Sequence, residues 1–356
     1  MNSSNLYKQD LQYAYDQLSR DFFYHKKILV TGATGMIGSC IVDVLLGFSM
    51  KYQLELSILA AGRSLERLKA RFAYASKYPA LHFIEMDFSY NYIPGFEVDY
   101  IIHGAGNADP VSFAQHPVET MLTNFNGTQN LIDIGLKNHL KKFLYISSGE
   151  IYGQPTDDIN GFSEDYSGYL DYASPRSCYP AAKRATEVLC QSYISQYNLS
   201  CTIVRPCHIF GPTLLKTDSR AVSEFIRSAA LGQDIVLKSA GLVERSHCYV
   251  VDAAIAILIV LSFGQTGQAY NISDKCYQMT IREFAETAAK AGGCHVVFQV
   301  PNTLEQKGYS NVKRAVLQAD KIQELGWIPS STDESKIVRA VNILKTHYSE
   351  NVELWS

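Results

Sequence analysis

Short apolar runs alternate with stretches of helical periodicity over residues 28–206. We predict strands at 28–31, 54–61, 81–86, 100–103, 143–146 and 201–204, most of which end at glycine or polar residues. The segments 36–47, 64–74, 117–138 and 179–197 repeat apolar residues at helical spacing. Because strands joined by helical crossovers pair in parallel, the pattern predicts an α/β fold with a doubly wound parallel sheet and helices on both faces.

A glycine turn joins the first predicted strand to its helix, with the sequence Thr31-Gly32-Ala33-Thr34-Gly35-Met36-Ile37-Gly38. Gly32 permits the tight turn, Gly35 lets the backbone approach a pyrophosphate, and Gly38 lets the helix pack on the strand. The N–H groups of the helix N-terminus suit phosphate oxygens. The turn therefore predicts a Rossmann dinucleotide site, with an ordinary strand–helix turn as the alternative. Its candidate cofactor contacts are Gly32, Thr34, Gly35, Met36 and Ile37.

The carboxyl ends of the other predicted strands meet the same edge of the sheet, where ligands of such sheets bind. We therefore expect further cofactor contacts from Arg63, Asp87, Phe88, Gly104, Ala105, Asn124, Ser147 and Pro206. NAD sites usually carry a carboxylate after the second strand for the ribose hydroxyls, and this chain has Arg63 there. Arg63 suits a 2′-phosphate, or stacking on adenine with either cofactor, so NAD is expected and NADP stays open.

Beyond residue 206 the alternation weakens, although 250–263 is an apolar helix pattern and 269–272 a strand pattern. We expect both to return to the sheet, giving two interleaved units. Residues 1–205 and 248–274 would form the NAD(P)-binding Rossmann domain, including an N-terminal helical extension at 1–25. Residues 206–247 and 275–356 would form a smaller α/β substrate-binding domain. The helix predicted at 6–24 packs on the first domain or contacts a second copy.

Tyr179 and Lys183 lie four residues apart, on one face of a predicted helix. A free tyrosine is a poor base at neutral pH, but a nearby ammonium favours its phenolate and is expected to lower its pKa. Ser148, at the end of a predicted strand, supplies a hydroxyl to share the proton of a substrate alcohol. Together with the glycine turn, this set indicates alcohol oxidation with transfer of hydride to a nicotinamide.

Composition narrows the class of protein further. The net charge of -3 gives no bulk field for nucleic acid or an anionic membrane, and the longest apolar run is too short to span a bilayer. The 8 cysteines form no C-x-x-C pair and read as buried thiols of a reducing compartment. The polar N-terminus lacks a signal-peptide core, so we expect a cytoplasmic enzyme. The histidines lack metal-ligand spacing, so no metal site is predicted.

These motifs resemble the extended short-chain dehydrogenases/reductases of the NAD-dependent epimerase/dehydratase family, over nearly the whole chain after residue 27. The segments 175–179, 218–226 and 245–250 look most like those of UDP-glucuronate decarboxylases (UDP-xylose synthases). The resemblance implies a nucleotide-diphosphate sugar as substrate, oxidation of its C4 hydroxyl, and a homodimer built through the helices near 117–138 and 179–197.

Residue by residue, the resemblance implies catalytic roles for Ser148, Glu150, Tyr179 and Lys183, the last two also touching cofactor. It implies substrate contacts from Asn107, Arg220, Arg245 and His208. Gly149 stands where 4,6-dehydratases carry an acidic aspartate. Departures at Arg63, His208 and Glu224 leave the nucleotide and the sugar open.

Several outcomes fit the same C4 chemistry. A carboxylate at C5 would leave as carbon dioxide, rotation of a 4-keto sugar would give a 4-epimerase, and reduced cofactor would make a 4-keto sugar reductase. Two of the charged residues have a simpler alternative role: Glu150 could bond only to backbone, and Arg245 could bind only the diphosphate. A hypothesis of another class is a cofactor-bound sensor without turnover, which leaves the Ser148, Tyr179 and Lys183 set unexplained.

Overall fold

The computed structural model describes residues 4–88, 97–106, 108–156, 159–300, 312 and 314–349. Asn107, a predicted substrate contact, lies outside the described residues.

The described helices are α1 (Asn5–Asp16), α2 (Arg20–Phe23), α3 (Met36–Tyr52), α4 (Leu65–Arg71), α5 (Pro110–Gln115), α6 (Pro117–Lys137), α7 (Cys178–Tyr197), α8 (Ala221–Ala230), α9 (Val250–Phe263), α10 (Ile281–Gly292), α11 (Asp320–Gln323) and α12 (Lys336–Ser349). The strands are β1 (Lys27–Thr31), β2 (Ser57–Gly62), β3 (Leu81–Glu85), β4 (Tyr100–His103), β5 (Lys142–Ile146), β6 (Cys201–Pro206), β7 (His208–Phe210), β8 (Ile235–Leu237), β9 (Glu244–Tyr249), β10 (Ala269–Ile272), β11 (Asp274–Thr280), β12 (Val296–Phe298) and β13 (Arg314–Ala315). Short 3₁₀ turns lie at Ala73–Ala75, Gly149–Tyr152 and Pro175–Ser177.

The main sheet has seven strands in the order β10-β6-β5-β4-β1-β2-β3. Each of its strand pairs is parallel, as the alternating pattern predicted. The strand order reverses beside β1, between β1 and β4, and ligands of such sheets bind outside the carboxyl ends of the strands at that point. The predicted doubly wound Rossmann sheet is confirmed.

Apolar residues on both faces of the sheet explain why it is buried between two helical layers. In β1, Ile28 and Val30 belong to the cluster that packs against α3 and α9, while Leu29 belongs to the cluster under α6 and α7. Helix α9 is buried along Val250–Leu261, which accounts for its almost uninterrupted apolar sequence.

A second, smaller sheet lies beyond the main one. Strand β9 pairs with β11 in antiparallel fashion and with β7 and β13 in parallel. Because β7 begins two residues after β6 ends, this sheet starts next to the carboxyl edge of the main sheet. It therefore places β7 and β9 near the predicted site.

The N-terminal helix α1 packs against the rest of the chain, which confirms the first of the two expectations for it. Tyr7 donates a 2.7 Å hydrogen bond to Asp43 of α3. Asp10 accepts 2.7 Å hydrogen bonds from the Tyr249 hydroxyl and from Nε of Arg339 on α12. The helix thereby connects α3 of the main sheet layer with β9 and α12.

Some expectations differ from the structure. The helix predicted at 6–24 is broken, because the Ser19 hydroxyl accepts from the Phe22 N–H and starts the separate helix α2. Of the cysteines, Cys276 is exposed, and Cys207 and Cys294 are half-buried, so the prediction of buried thiols is wrong for these three. Within the described ranges, no helix has the length and apolar character needed to cross a membrane.

Candidate functional site

The glycine turn leaves no room for side chains at two of its three glycines. Gly32 has a φ of +66°, and a Cβ there would lie 2.8 Å from the Gly104 carbonyl oxygen. A Cβ on Gly38 would lie 2.3 Å from the Gly32 carbonyl oxygen. Gly35 is the N-cap of α3, and Met36 is the first residue of that helix. Thr34 and Ile37, on either side of these two residues, are half-buried. The first turn of α3 thus closes directly onto the end of β1, leaving backbone N–H groups at the edge of the sheet.

We predict that Gly38→Ala lowers the free energy of unfolding by about 1–3 kcal/mol, because the new methyl group meets backbone that must move. The affinity for NAD, measured by calorimetry, should fall with it. Gly62→Ala is the matched control, since its Cβ would make an ordinary 3.6 Å contact with Leu68. Equal stabilities of the two variants would show that the turn is not as tight as the structure makes it.

A hydrogen-bond chain fixes the loop after β4. The Thr31 hydroxyl accepts from the N–H groups of Gly104 and Ala105, at 3.2 and 3.1 Å. Its own proton therefore goes to Nδ1 of His103, 2.7 Å away, and Nε2 of His103 donates to the Thr128 hydroxyl at 3.1 Å. Burial, followed by Lys183, lowers the pKa of His103 to about 3, so the ring is neutral and structural.

The polar residues 124–130 of α6 contact the neighbouring loops and strands. The Asn124 amide donates to Thr120 of its own helix at 2.7 Å, while Thr128 reaches β4. Asn130 donates to the Phe88 carbonyl after β3 at 2.9 Å. Asn124 nevertheless lies against this edge, since a Cβ on Gly106 would sit 2.6 Å from its Oδ1.

Arg63 and Asp87 follow β2 and β3 at the same edge of the sheet, and both are exposed. Arg63 makes no hydrogen bond or ion pair with the described residues, whereas the nearby Ser64 hydroxyl caps α4. The buried ring of Phe88 lies 6.0 Å from that of His103. This end of the edge is therefore open to solvent at Arg63 and closed by Phe88.

Ser148 lies just after strand β5, and Tyr179 lies at the start of helix α7. Ser148 is the N-cap of the 3₁₀ turn after β5, and its hydroxyl accepts from the Glu150 N–H at 3.1 Å. Tyr179 is buried in the first turn of α7. Burial, and then the charge of Glu150, raise the pKa of Tyr179 to about 12, opposed by a hydrogen bond with Ser148 and by the charges of Arg220 and Arg176. The lowered pKa expected from the motif is wrong, because desolvation outweighs the nearby cations.

Lys183 reaches back to β5 from the next turn of α7. Its Nζ donates to the Ile146 carbonyl at 2.9 Å and lies 4.7 and 5.8 Å from the ring centroids of Tyr145 and Tyr179. Burial lowers its pKa to about 7, with Glu187 and Cys190 opposing the shift. The Lys183 ammonium thus lies close to the Tyr179 ring, while its own burial disfavours its charged form.

This pKa predicts a pH-dependent contribution to stability. The pKa of Lys183 is about 7 in the fold, against about 10.4 in an unfolded chain. Between these values the unfolded chain binds more protons, so this group makes the free energy of unfolding rise with pH. Denaturant titrations of the wild type and Lys183→Met should therefore diverge in favour of the wild type from pH 7 to 9. Parallel curves would contradict the assignment.

Glu150 projects into the same space and is paired with a residue that the sequence reasoning did not single out. Arg176 contacts it in bidentate fashion, with Nη1–Oε2 and Nη2–Oε1 distances of 3.0 and 3.2 Å. The Arg176 guanidinium lies 4.9 Å from the ring centroid of Phe113, which stacks on Tyr179 at 4.5 Å. Arg176 stood in the motif at 175–179, but that motif gave no hint of its partner.

Arg220 lies beside the glycine turn. Its Nη2 is 3.8 Å from the Met36 sulfur, and its guanidinium is paired with Asp218, which holds it at the N-cap of α8. Thr213, missed from sequence, donates to the Met36 carbonyl at 2.9 Å. Arg220 also lowers the pKa of Tyr179, so one arginine faces both the cofactor turn and the tyrosine.

Arg245 and His208 come from the paired strands β9 and β7. Arg245 donates to the carbonyls of Glu244 and Val312 at 3.1 and 2.6 Å. Burial lowers the pKa of Arg245 to about 10, and the charge of Glu150 opposes this shift. His208 is exposed, yet desolvation by surrounding protein is the first cause of its strongly lowered pKa, followed by His247 and Arg245. The His208 ring lies 5.8 Å from that of His247, measured between the ring centroids.

The space beside Gly149, which follows β5, is filled by neighbouring residues. A Cβ on Gly149 would lie 3.1 Å from the Leu317 side chain and 3.4 Å from the carbonyl oxygen of Pro206, the last residue of β6. A carboxylate side chain at 149 would have to displace Leu317, so the position has neither an acid nor ready space for one.

A dinucleotide fits the residues present. The turn at 32–38 is the backbone cradle, and two polar atoms nearby, Ser147 Oγ and Asn124 Oδ1, are buried without a hydrogen-bond partner among the described residues. Unsatisfied buried acceptors of this kind are completed by a ligand or by water. In the part of the chain that the structure describes, no group of His, Cys, Asp or Glu side chains is arranged to hold a metal ion.

Comparisons with known proteins agree with this site. The model of the NAD dependent epimerase/dehydratase family matches residues 28–273. UDP-glucuronic acid decarboxylase 6 of Arabidopsis thaliana is 32% identical over 270 residues, which cover 76% of this chain and 75% of the relative.

Two solved structures share the fold. The dTDP-glucose 4,6-dehydratase DesIV of Streptomyces venezuelae, with NAD bound, has a TM-score of 0.77 at 23% identity and covers 92% of this chain and 99% of its own. The UDP-glucuronic acid 4-epimerase of Bacillus cereus, with NAD and UDP-glucuronic acid, has a TM-score of 0.74 at 20% identity and covers 91% and 99%. The chain therefore belongs to the NAD dependent epimerase/dehydratase family, among the extended short-chain dehydrogenases/reductases.

Proposed function

We propose that the chain modifies a nucleotide-diphosphate sugar by oxidising its C4 hydroxyl with NAD, and that its reaction is the decarboxylation of UDP-glucuronate. The observation that carries the proposal is the convergence of Tyr179, Ser148 and Glu150 with the cations Arg176, Arg220 and Arg245. An anionic substrate suits such an arrangement, since two of these arginines act on Tyr179 and a third faces Glu150.

In this proposal Tyr179 removes the C4 hydroxyl proton, and Ser148 shares it through their hydrogen bond. NAD, when bound, would accept hydride from C4 and, in its reduced form, would return it to C4 after carbon dioxide has left, which gives the UDP-pentose and regenerates NAD. Its pyrophosphate would lie at the turn 32–38. Asn124 Oδ1, an acceptor, would bond to a donor elsewhere on the cofactor or to water, and so would the Ser147 hydroxyl. Arg220, which lies beside Met36, would offset part of the negative charge of the phosphates.

Once C4 is a ketone, a C5 carboxylate belongs to a β-keto acid. The C5–C6 bond then breaks, carbon dioxide leaves, and the electron pair moves to the C4 oxygen as an enolate that is protonated at C5. Glu150 and Arg245 would orient the carboxylate. A 4,6-dehydration is disfavoured, because position 149 carries no acid and packs against Leu317.

The proposal is tested by incubating the purified protein and NAD with UDP-glucuronate and identifying the products by mass spectrometry. Decarboxylation predicts carbon dioxide and a UDP-pentose. Conversion to UDP-galacturonate without gas would replace the proposal by a 4-epimerase. Activity only with NADPH and a 4-keto sugar would replace it by a reductase, and no turnover with any of these would favour the sensor.

We further propose that NAD is the working cofactor and that the exposed Arg63 also tolerates the 2′-phosphate of NADP. No carboxylate stands at that position to repel the phosphate, and an exposed arginine pairs with phosphate at modest cost. Affinities for NAD and NADP measured side by side on the wild type and Arg63→Asp decide this point. A preference that the substitution leaves unchanged would assign Arg63 to the surface.

A homodimer through α6 and α7 remains our proposal for the assembly. The two helices pack on each other and leave an apolar outer face, with Val118 63%, Leu122 53% and Val188 65% exposed. We predict that Leu122→Lys converts a dimer into monomers in light scattering, because a buried lysine would lack a partner. Leu242→Lys, at a site 68% exposed elsewhere, is the matched control. A wild-type monomer would contradict the proposal.

A further inference from the structure

The ion pair between Arg176 and Glu150 is partly exposed to solvent rather than fully buried. The Arg176 side chain is 16% exposed and the Glu150 side chain 31% exposed. Both oxygens of Glu150 are engaged by the two terminal nitrogens of the guanidinium. A bidentate pair of this kind fixes the direction of both side chains.

Arg176 is also coupled to Tyr179 by packing. Its guanidinium lies over the Phe113 ring, and Phe113 stacks on Tyr179 at an interplanar angle of 17°. Arg176 lowers the pKa of Tyr179 while Glu150 raises it, so the pair acts on the tyrosine as two opposed charges. A ligand that changes the environment of Arg176 therefore also changes the pKa of the Tyr179 hydroxyl.

A sugar that carries a carboxylate creates a charge problem at this place. Two carboxylates brought close together repel, and one of them must then protonate or find a cation. The guanidinium stays protonated, and its planar fork can lie between two carboxylates and attract both. A lysine offers one point charge without this fork.

We propose that Arg176 is a specificity-determining residue that bridges Glu150 and the carboxylate of an acidic nucleotide sugar. The inference rests on the proposed function, because it takes the C5 carboxylate to lie next to Glu150. A neutral sugar leaves the Arg176–Glu150 pair as it is and gains nothing from it. Arg176 thus favours acidic over neutral sugars without contributing to the affinity for the nucleotide.

The test is the affinity of UDP-glucuronate, UDP-glucose and UDP for the wild type, Arg176→Met and Arg176→Lys, measured by calorimetry. Arg176→Met should lower the affinity for UDP-glucuronate by about tenfold to hundredfold, which corresponds to the loss of a charge-assisted contact. The affinities for UDP-glucose and UDP should stay nearly unchanged. The affinity of Arg176→Lys for UDP-glucuronate should lie between those of the wild type and Arg176→Met. Arg282→Met is the control, since Arg282 pairs with Glu286 on an exposed helix face. Equal losses for both sugars, or none for either, would overturn the inference.

The double variant Glu150→Gln/Arg176→Met covers the case in which Arg176→Met alone does not fold. It removes both charges, so the repulsion is gone and UDP-glucuronate should recover part of the lost affinity relative to UDP-glucose. A sugar preference in the double variant equal to that of the wild type would overturn the inference.

Binding and turnover separate this inference from the proposed function. If carbon dioxide is released but Arg176→Met keeps the wild-type sugar preference, the inference alone fails. If the preference depends on Arg176 and the wild type releases no carbon dioxide, the proposed reaction alone fails.

Discussion

Tyr179→Phe is expected to lower kcat by about 10²- to 10⁴-fold, the range for losing a positioned proton acceptor. The phenyl ring keeps the stack on Phe113, at a centroid distance of 4.5 Å in the wild type, so the fold and the affinity for nucleotide sugar should persist. Only the hydroxyl that shares a hydrogen bond with Ser148 is removed. The rate of product formation and the calorimetric affinity are the two measurements.

The matched control is Tyr172→Phe, which removes a hydroxyl from a tyrosine 79% exposed in the segment before α7. It should keep the wild-type rate. Full activity of Tyr179→Phe would remove Tyr179 from the chemistry and, with it, the role proposed for Ser148.

Glu150→Gln is expected to have the second largest effect, a fall in carbon dioxide release of about tenfold to hundredfold. The amide cannot accept the bidentate pair from Arg176 as a carboxylate does, so the orientation of the sugar is lost. The charge of Glu150 also raises the pKa of Tyr179. Its removal should therefore shift the rise of kcat/KM to lower pH, because the phenol ionises more readily.

The pH–rate profile of Glu150→Gln is compared with that of Glu286→Gln, which breaks an exposed pair on α10 instead. The second variant should reproduce the wild-type profile. A Glu150→Gln profile that coincides with the wild type, at an unchanged rate, would reduce Glu150 to its bond between the backbone N–H and Ser148.

The sequence predicted the main sheet well because its strands have strong local patterns. Strand β4, helix α9 and strand β10 occur with the predicted bounds, since each is a compact apolar run with clear ends. The second sheet was not predicted. Its strands β7 and β13 are only three and two residues long, too short for a period to emerge, and they are set by pairing with β9.

In the candidate site, motifs predicted which residues meet but not how they interact. The stacking of Phe113 on Tyr179 and the pair of Arg176 with Glu150 join segments far apart in sequence, and no local pattern encodes them. The pKa of Tyr179 was expected to fall, and it rises, because burial and Glu150 are properties of the folded site. The neighbouring charge of Lys183 depends in the same way on its own burial.

In the proposed reaction, the site of Ser148, Tyr179 and Lys183 oxidises the sugar at C4. Turnover of UDP-glucuronate carrying deuterium at C4 tests it most directly, by the rate of carbon dioxide release against that of the unlabelled substrate. We expect slower release from the labelled substrate, because the bond from C4 to deuterium must break first, and a UDP-pentose that retains the deuterium at C4. Release at the same rate, or a product that has lost the label to solvent, would contradict it.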